Sequence, residues 1–495
     1  IHVLTSYYEL RAHKPKLSYK RATLEAMLDM WVPVTLTTLT TAAGFIGLSA
    51  ASIMPPIMYF GLFAALGVII AWAFTMFVLP PAIMLMQLER SPMFKLSGEK
   101  DAGRVGHALA AVASVSARNP IVALIAVLVF SATAFLGAMS LRVDRAQVDN
   151  FRADEPIRVA DAVINEKLAG TSYLDVIVET DEEEGLLDGE RMARVAKLQR
   201  YMESLPFVEK TVSITDYISL LHKAIMVDEE NVSELPDNGD AIAQYLLLYE
   251  SSADPTDFEE EIDQGYQTLL VRAYMNSDYF SQERDVVEAL ELYLTEDFNR
   301  EGMTGVLSGR VNVDYHWMKS LSESHFTSVG ISLVLVWVVS SLLFRSKLAG
   351  LVALSPVLLT ILGIYALMAS LGIYLEPATS MFAAISIGVG IDFAIHLIDR
   401  LQLGLKAGKS VAETVQEKFP HAARACFFNA SALGAGFCVL LISELPTLQR
   451  FGALVAFACI VSFLSALVIV PMAWSLLERF RDFPSDEDVL NEAGL

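Results

Sequence analysis

Residues 377–400 read P-A-T-S-M-F-A-A-I-S-I-G-V-G-I-D-F-A-I-H-L-I-D-R. At 1.5 Å per residue this mostly apolar run is long enough to cross a hydrocarbon core about 30 Å thick. One carboxylate, Asp392, stands inside it. It lies about 12 Å of helix before Arg400 and about 22 Å after Pro377, too deep for a short side chain to reach either interface. An acid at that depth is costly and marks an ion or proton site by default; the plainer alternative is an Asp that only ties neighbouring helices together. Gly388 precedes it by one helical turn and His396 follows by one turn, on the same face. The small residues Ala383, Ala384, Ser386, Gly388, Gly390 and Ala394 let other helices approach closely.

A chain of 495 residues that is 54% apolar is a polytopic membrane protein. Its net charge of −22 is unevenly spread: residues 142–323 hold 40 acidic and 16 basic side chains, and the remainder 18 and 20. The negative charge therefore belongs to one soluble insert, which repels nucleic acid. Cys426, Cys438 and Cys459 all fall in apolar segments, so the insert has no disulfide framework. The acidic run Asp181–Glu184 lacks the spacing of an EF-hand and reads as a solvated turn.

Hydropathy predicts eight spans, near 32–52, 57–79, 119–141, 324–344, 348–370, 377–398, 425–444 and 449–476. Pro55-Pro56 marks a tight loop, residues 87–118 a polar cytoplasmic linker, and 478–495 an acidic cytoplasmic tail. Short loops on one side carry 17 Lys and Arg against one, Arg450, on the other. The positive-inside rule then predicts a multi-pass protein of the cytoplasmic (inner) membrane with residues 142–323 outside.

The chain also repeats itself. Ile1-His2 matches Ile395-His396, A-A-G-F at 42–45 matches G-A-G-F at 434–437, Phe60-Gly61 matches Phe451-Gly452, and Pro80 matches Pro471. Residues 1–86 thus repeat 395–477 in the same orientation, a parallel duplication of the transporter kind with function at the repeat interface. The counterpart of Asp392 falls three residues before Ile1, so a preceding portion with a second insert and a second acid is expected. Within 142–323, helices near 155–169, 189–204, 215–226, 239–252 and 281–299 alternate with strands near 173–179, 207–214, 266–276 and 303–312. Two strand–helix–strand sets predict a pair of small α+β sandwiches.

G-V-G-I-D-F-A-I-H at 388–396, L-L-F-R-S-K-L-A-G-L-V-A-L-S-P at 342–356 and the repeated G-F…F-G…P pattern together resemble the RND superfamily of exporters, in its MmpL-like branch. The resemblance covers essentially the whole chain, as about the last two thirds of a twelve-helix protein. It implies a duplicated helical membrane fold with α+β extracytoplasmic domains. Residues 1–86 become the end of the fourth helix with the fifth and sixth, 119–141 the seventh, and 324–477 the eighth to twelfth. It also implies proton-driven export of lipids or other hydrophobic compounds, with Asp392 matching the family acid. Phe393 departs from the Tyr that follows this acid in MmpL transporters, so other polar partners are expected: Asn429 and Ser431 on the next span, Thr37 and Thr38 on the equivalent first-half helix, and His396 as a relay. Each hydroxyl has the alternative of bonding its own helix carbonyl.

Two rival readings stand beside export: a lipid-binding or assembly module like sterol-sensing and secretion components, and an inactive fragment. The sequence holds no nucleophile–base pattern, zinc-ligand spacing or phosphate loop, so neither an enzyme nor a cofactor is expected. Membrane lipids or hydrophobic small molecules and protons are the expected partners, with a homo-oligomer left open.

Overall fold

The computed structural model describes residues 2–14, 16–86, 103–226, 233–252 and 260–481. Ile1, the first half of the linker and the tail from 482 lie outside these. Among the described residues eight helices are long and apolar enough to cross a membrane, and the chain divides into a helical membrane unit and an insert unit, Val143–Ser320 with Glu444–Pro446.

In the membrane unit, α1 (His2–His13) leads into α2 (Tyr19–Ala51), which Ser18 caps by accepting from the Arg21 N–H. Pro55 and Pro56 are not a separate loop: they open α3 (Pro55–Ala73), because proline suits a first turn whose N–H groups have no partner. A π turn at Phe74–Val78 carries α3 into α4 (Leu79–Met86). Residues 103–118 are likewise more than linker. They form α5 (Gly103–Arg118), which buries Gly106, Ala110, Ala113 and Ala117, a helical spacing of small residues that a hydropathy window reads as polar. Then comes α6 (Pro120–Ala138).

The insert runs α7 (Pro156–Lys167), β1 (Ser172–Thr180), α8 (Gly189–Glu203), β2 (Val208–Val212), α9 (Ile214–Ile225), α10 (Gly239–Ser252), β3 (Thr268–Met275), α11 (Phe280–Tyr293) and β4 (Met303–Ser308). The two strand–helix–strand sets do not make two sandwiches. β3 pairs antiparallel with both β1 and β2, so the sets interleave into one four-stranded sheet ordered β2-β3-β1-β4. Val176, Val178, Val271 and Ala273 of the sheet are buried, as are Met192, Val195 and Leu198 of α8 and Val286, Val287 and Leu290 of α11.

The second part of the membrane unit holds most of α12 (Gly309–Phe344), then α13 (Lys347–Leu371), α14 (Pro377–Lys406), α15 (Val411–Cys438) and α16 (Pro446–Arg481). Here the sequence repeat becomes geometry. A Cβ on Gly61 would stand 2.6 Å from the carbonyl oxygen of Phe45, and one on Gly452 would stand 2.6 Å from that of Phe437. Phe45 meets Phe60 edge to face at 6.0 Å, and Phe437 meets Phe451 the same way at 6.3 Å. The α2/α3 and α15/α16 hairpins are thus closed by one joint, used twice. Gly452→Ala drives a methyl into that carbonyl and is expected to cost about 1–3 kcal/mol, the range for overpacking, read as a lower unfolding temperature in detergent.

A cluster of acids ties residues 144–148 to α11 and α12. Asp144 accepts from the Ser281 N–H and hydroxyl, Asp278 from the N–H groups of Gln147 and Val148, and Asp314 from the Gln147 amide. Glu283 is buried among them at 2% exposure. Burial, with Asp314, Asp278 and Asp144 adding to it and Arg310 opposing, pushes its carboxyl up from 4.5 to about 9. The folded insert therefore holds a proton that the unfolded chain releases above pH 4.5, and stability falls as pH rises from there towards 9. Glu283→Gln keeps the neutral shape. It is expected to raise the unfolding temperature at pH 8, flattening the pH dependence by an amount on the order of 1–3 kcal/mol.

Candidate functional site

Asp392 sits in the sixteenth residue of α14, whose entry is fixed by Pro377 and by a capping box in which the Glu376 carboxylate accepts from the Thr379 N–H and the Thr379 hydroxyl accepts from the Glu376 N–H. Its neighbours Ile391, Phe393, Ala394 and Ile395 are fully buried, while Asp392 keeps a partial exposure. Two glycines explain how other helices come so close. A Cβ on Gly388 would lie 2.8 Å from Cγ2 of Thr41 on α2, and one on Gly390 would lie 2.5 Å from Oγ of Ser462 on α16. Both predicted packing glycines thus face helix contacts, Gly388 to the first repeat and Gly390 to the second.

Thr41 is the polar partner that the structure brings to the acid. Its hydroxyl donates to the Gly388 carbonyl at 2.9 Å and lies 3.3 Å from Asp392 Oδ1. A hydroxyl has one hydrogen and two lone pairs, so it serves either state of the carboxyl: it donates to a carboxylate, or accepts from the protonated acid while donating to Gly388. Two of the hydroxyls named from sequence turn to their own helix instead. Thr37 and Thr38 both donate to the Val34 carbonyl of their own helix, at 3.0 and 2.8 Å. Asn429 is half-buried on α15 and Ser431 is exposed. The threonine-rich run of α2 was the right helix. Thr41, one turn after Thr37, carries the contact because it faces the gap left by Gly388. Phe393 turns from this contact and packs edge-on against Phe463 at 5.8 Å.

One turn beyond Asp392 the repeat meets itself again. The rings of His396 and His2, equivalent in sequence, stack at 3.8 Å and 19°. Arg400 reaches Asp29 of α2 through two contacts at 3.3 and 3.0 Å, and Ser6 donates to the same carboxylate at 3.4 Å. These groups line a polar cavity of about 390 Å³ with Lys418 and His421. Sequence reasoning also missed a buried pair on α12 and α13, His325 and Tyr365, joined at 2.8 Å. Among the described residues no group of three or more His, Cys, Asp or Glu could hold a metal ion.

Thr41→Val keeps the shape and removes the hydroxyl. Leaving a buried acid without that partner is expected to cost about 1–3 kcal/mol, seen as a lower unfolding temperature that Thr41→Ser restores.

Comparisons with known proteins agree with this architecture. Residues 266–491 match the MMPL family. A membrane protein of Methanocaldococcus jannaschii is 20% identical over 374 residues, covering 74% of this chain and 93% of that protein. The cryo-EM structure of the hedgehog release protein Disp from the water bear Hypsibius dujardini superposes with a TM-score of 0.61 at 12% identity, over 96% of this chain. The chain spans 62% of the length of that structure. The expected likeness to the MMPL family is thereby borne out over residues 266–491, and the likeness of fold over nearly the whole chain.

Proposed function

We propose that this MmpL-like chain of RND-type fold works in proton-driven export of lipids or other hydrophobic compounds, with Asp392 as the group that carries the proton. The observation that supports it best is the place of Asp392: deep in the most buried of the apolar helices, in a seam where Gly388 admits α2 of one repeat and Gly390 admits α16 of the other. An acid in such a seam changes the packing of both repeats when its charge comes and goes.

In this reading, loading Asp392 with a proton removes a charge from the seam and lets the repeats close on it. Releasing the proton restores the charge and reopens the seam. His396, stacked on His2, and the polar cavity around Arg400 and Asp29 give the proton a way out on the side where the short loops carry their Lys and Arg. The asymmetry of Lys and Arg in the short loops supports an insert that faces outward from the cytoplasmic membrane. Each proton moving inward down 100 mV releases about 2.3 kcal/mol, and that energy drives the repacking.

The test uses proteoliposomes with an acidic bath and a fluorescent phospholipid or lipophilic dye as the probe. Transport that depends on the imposed gradient is expected to fall at least tenfold in Asp392→Asn, with the unfolding temperature maintained. Gradient-dependent transport at the wild-type rate in Asp392→Asn would refute the reading and leave a lipid-binding or assembly role.

A further inference from the structure

A histidine buried in an apolar spanning helix calls for a reason, because an ionisable group there is costly. His325 is 3% exposed on α12, and its Nε2 lies 2.8 Å from the hydroxyl of Tyr365, itself 6% exposed on α13. Phe326 and Phe382 close on the Tyr365 ring edge to face at 6.1 and 5.6 Å. His325 lies midway along α12, close in the chain to where that helix leaves the insert unit, and Tyr365 lies within two turns of the end of α13 and the 372–376 turn. The remaining titratable group at the start of α14 is Glu376, engaged in the capping box.

The helices around this pair and Asp392 also carry buried hydroxyls that the fold does not use. Ser332 on α12, Ser386 on α14 and Ser462 on α16 are buried, and none of their Oγ atoms has a hydrogen-bond partner among the described residues. Buried hydroxyls are almost always satisfied, so three without a protein partner stand out. Phe382, which touches Tyr365, is about 15 Å of helix from Asp392, Ser386 about 9 Å from it, and Ser332 about 10 Å from His325. Ser332 packs directly on α2, where a Cβ on Gly47 would stand 2.8 Å from its Oγ, and Ser462 faces Gly390.

We infer that His325 and Tyr365 form the proton-entry station: the imidazole takes a proton from the insert side, and the Tyr365 hydroxyl hands one inward towards Asp392. Each group in the line gains one proton and loses one, so the relay returns to its starting state. The inference rests on Asp392 being the proton carrier, and it assigns the way in to residues on helices other than its own.

Infrared spectroscopy on proteoliposomes with the insert facing the bath reads the protonated Asp392 as a carboxyl C=O band that Asp392→Asn lacks. After acidification of the bath, His325→Gln is expected to slow the rise of that band at least tenfold, and Tyr365→Phe comparably. The final amplitude and unfolding temperature stay at wild-type values, which a purely structural role would not allow. Wild-type rates in both variants overturn the entry station. Should His325→Gln not fold, Tyr365→Phe decides, since it keeps the ring and loses one oxygen. If no band separates the wild type from Asp392→Asn at any pH, Asp392 is not a proton carrier, and the entry station falls with it.

Discussion

The close approach of α14 to α2 and α16 is the constraint on which the membrane unit depends. A carboxyl at the depth of Asp392 is tolerable only where protein polar groups replace the water it has lost. Side chains on α14 would hold the neighbouring helices too far off for that. Gly388 and Gly390 remove the obstruction on two sides, and the Thr41 hydroxyl then reaches both the Gly388 carbonyl and the acid. Without a hydrophobic force to drive helices together inside lipid, contacts of this kind are what hold such a bundle. Here the packing and the chemistry use the same residues.

The fold was legible where its signal is local or periodic. All eight spans followed from hydropathy, and the strands and helices of the insert from alternation and turn residues. What local signals do not carry is which strand lies next to which: two strand–helix–strand sets look alike whether they stand apart or interleave, and β3 between β1 and β2 settled it. The linker was misread for a related reason. Gly106, Ala110, Ala113 and Ala117 make a buried stripe without being hydrophobic enough to register.

At the site, the acid and its helix could be read directly, because a lone carboxylate in an apolar span has few explanations. Its partner could not. The choice among Thr37, Thr38 and Thr41 turns on the rotation of α2 about its axis, which is set by Gly44 and Gly47 meeting Ile387 and Ser332 across the interface. No spacing within one helix contains that information. His325 and Tyr365 were hidden for the same reason, being 40 residues apart on different helices.

The twin joints at Gly61 and Gly452 bear on how such a molecule is able to move. Each is made of a phenylalanine carbonyl, a phenyl edge and a missing methyl. A contact of that sort has no second arrangement to switch into. Each hairpin therefore behaves mechanically as one stiff lever, α2 with α3 and α15 with α16. The bending compliance of the bundle is left to the seam along α14.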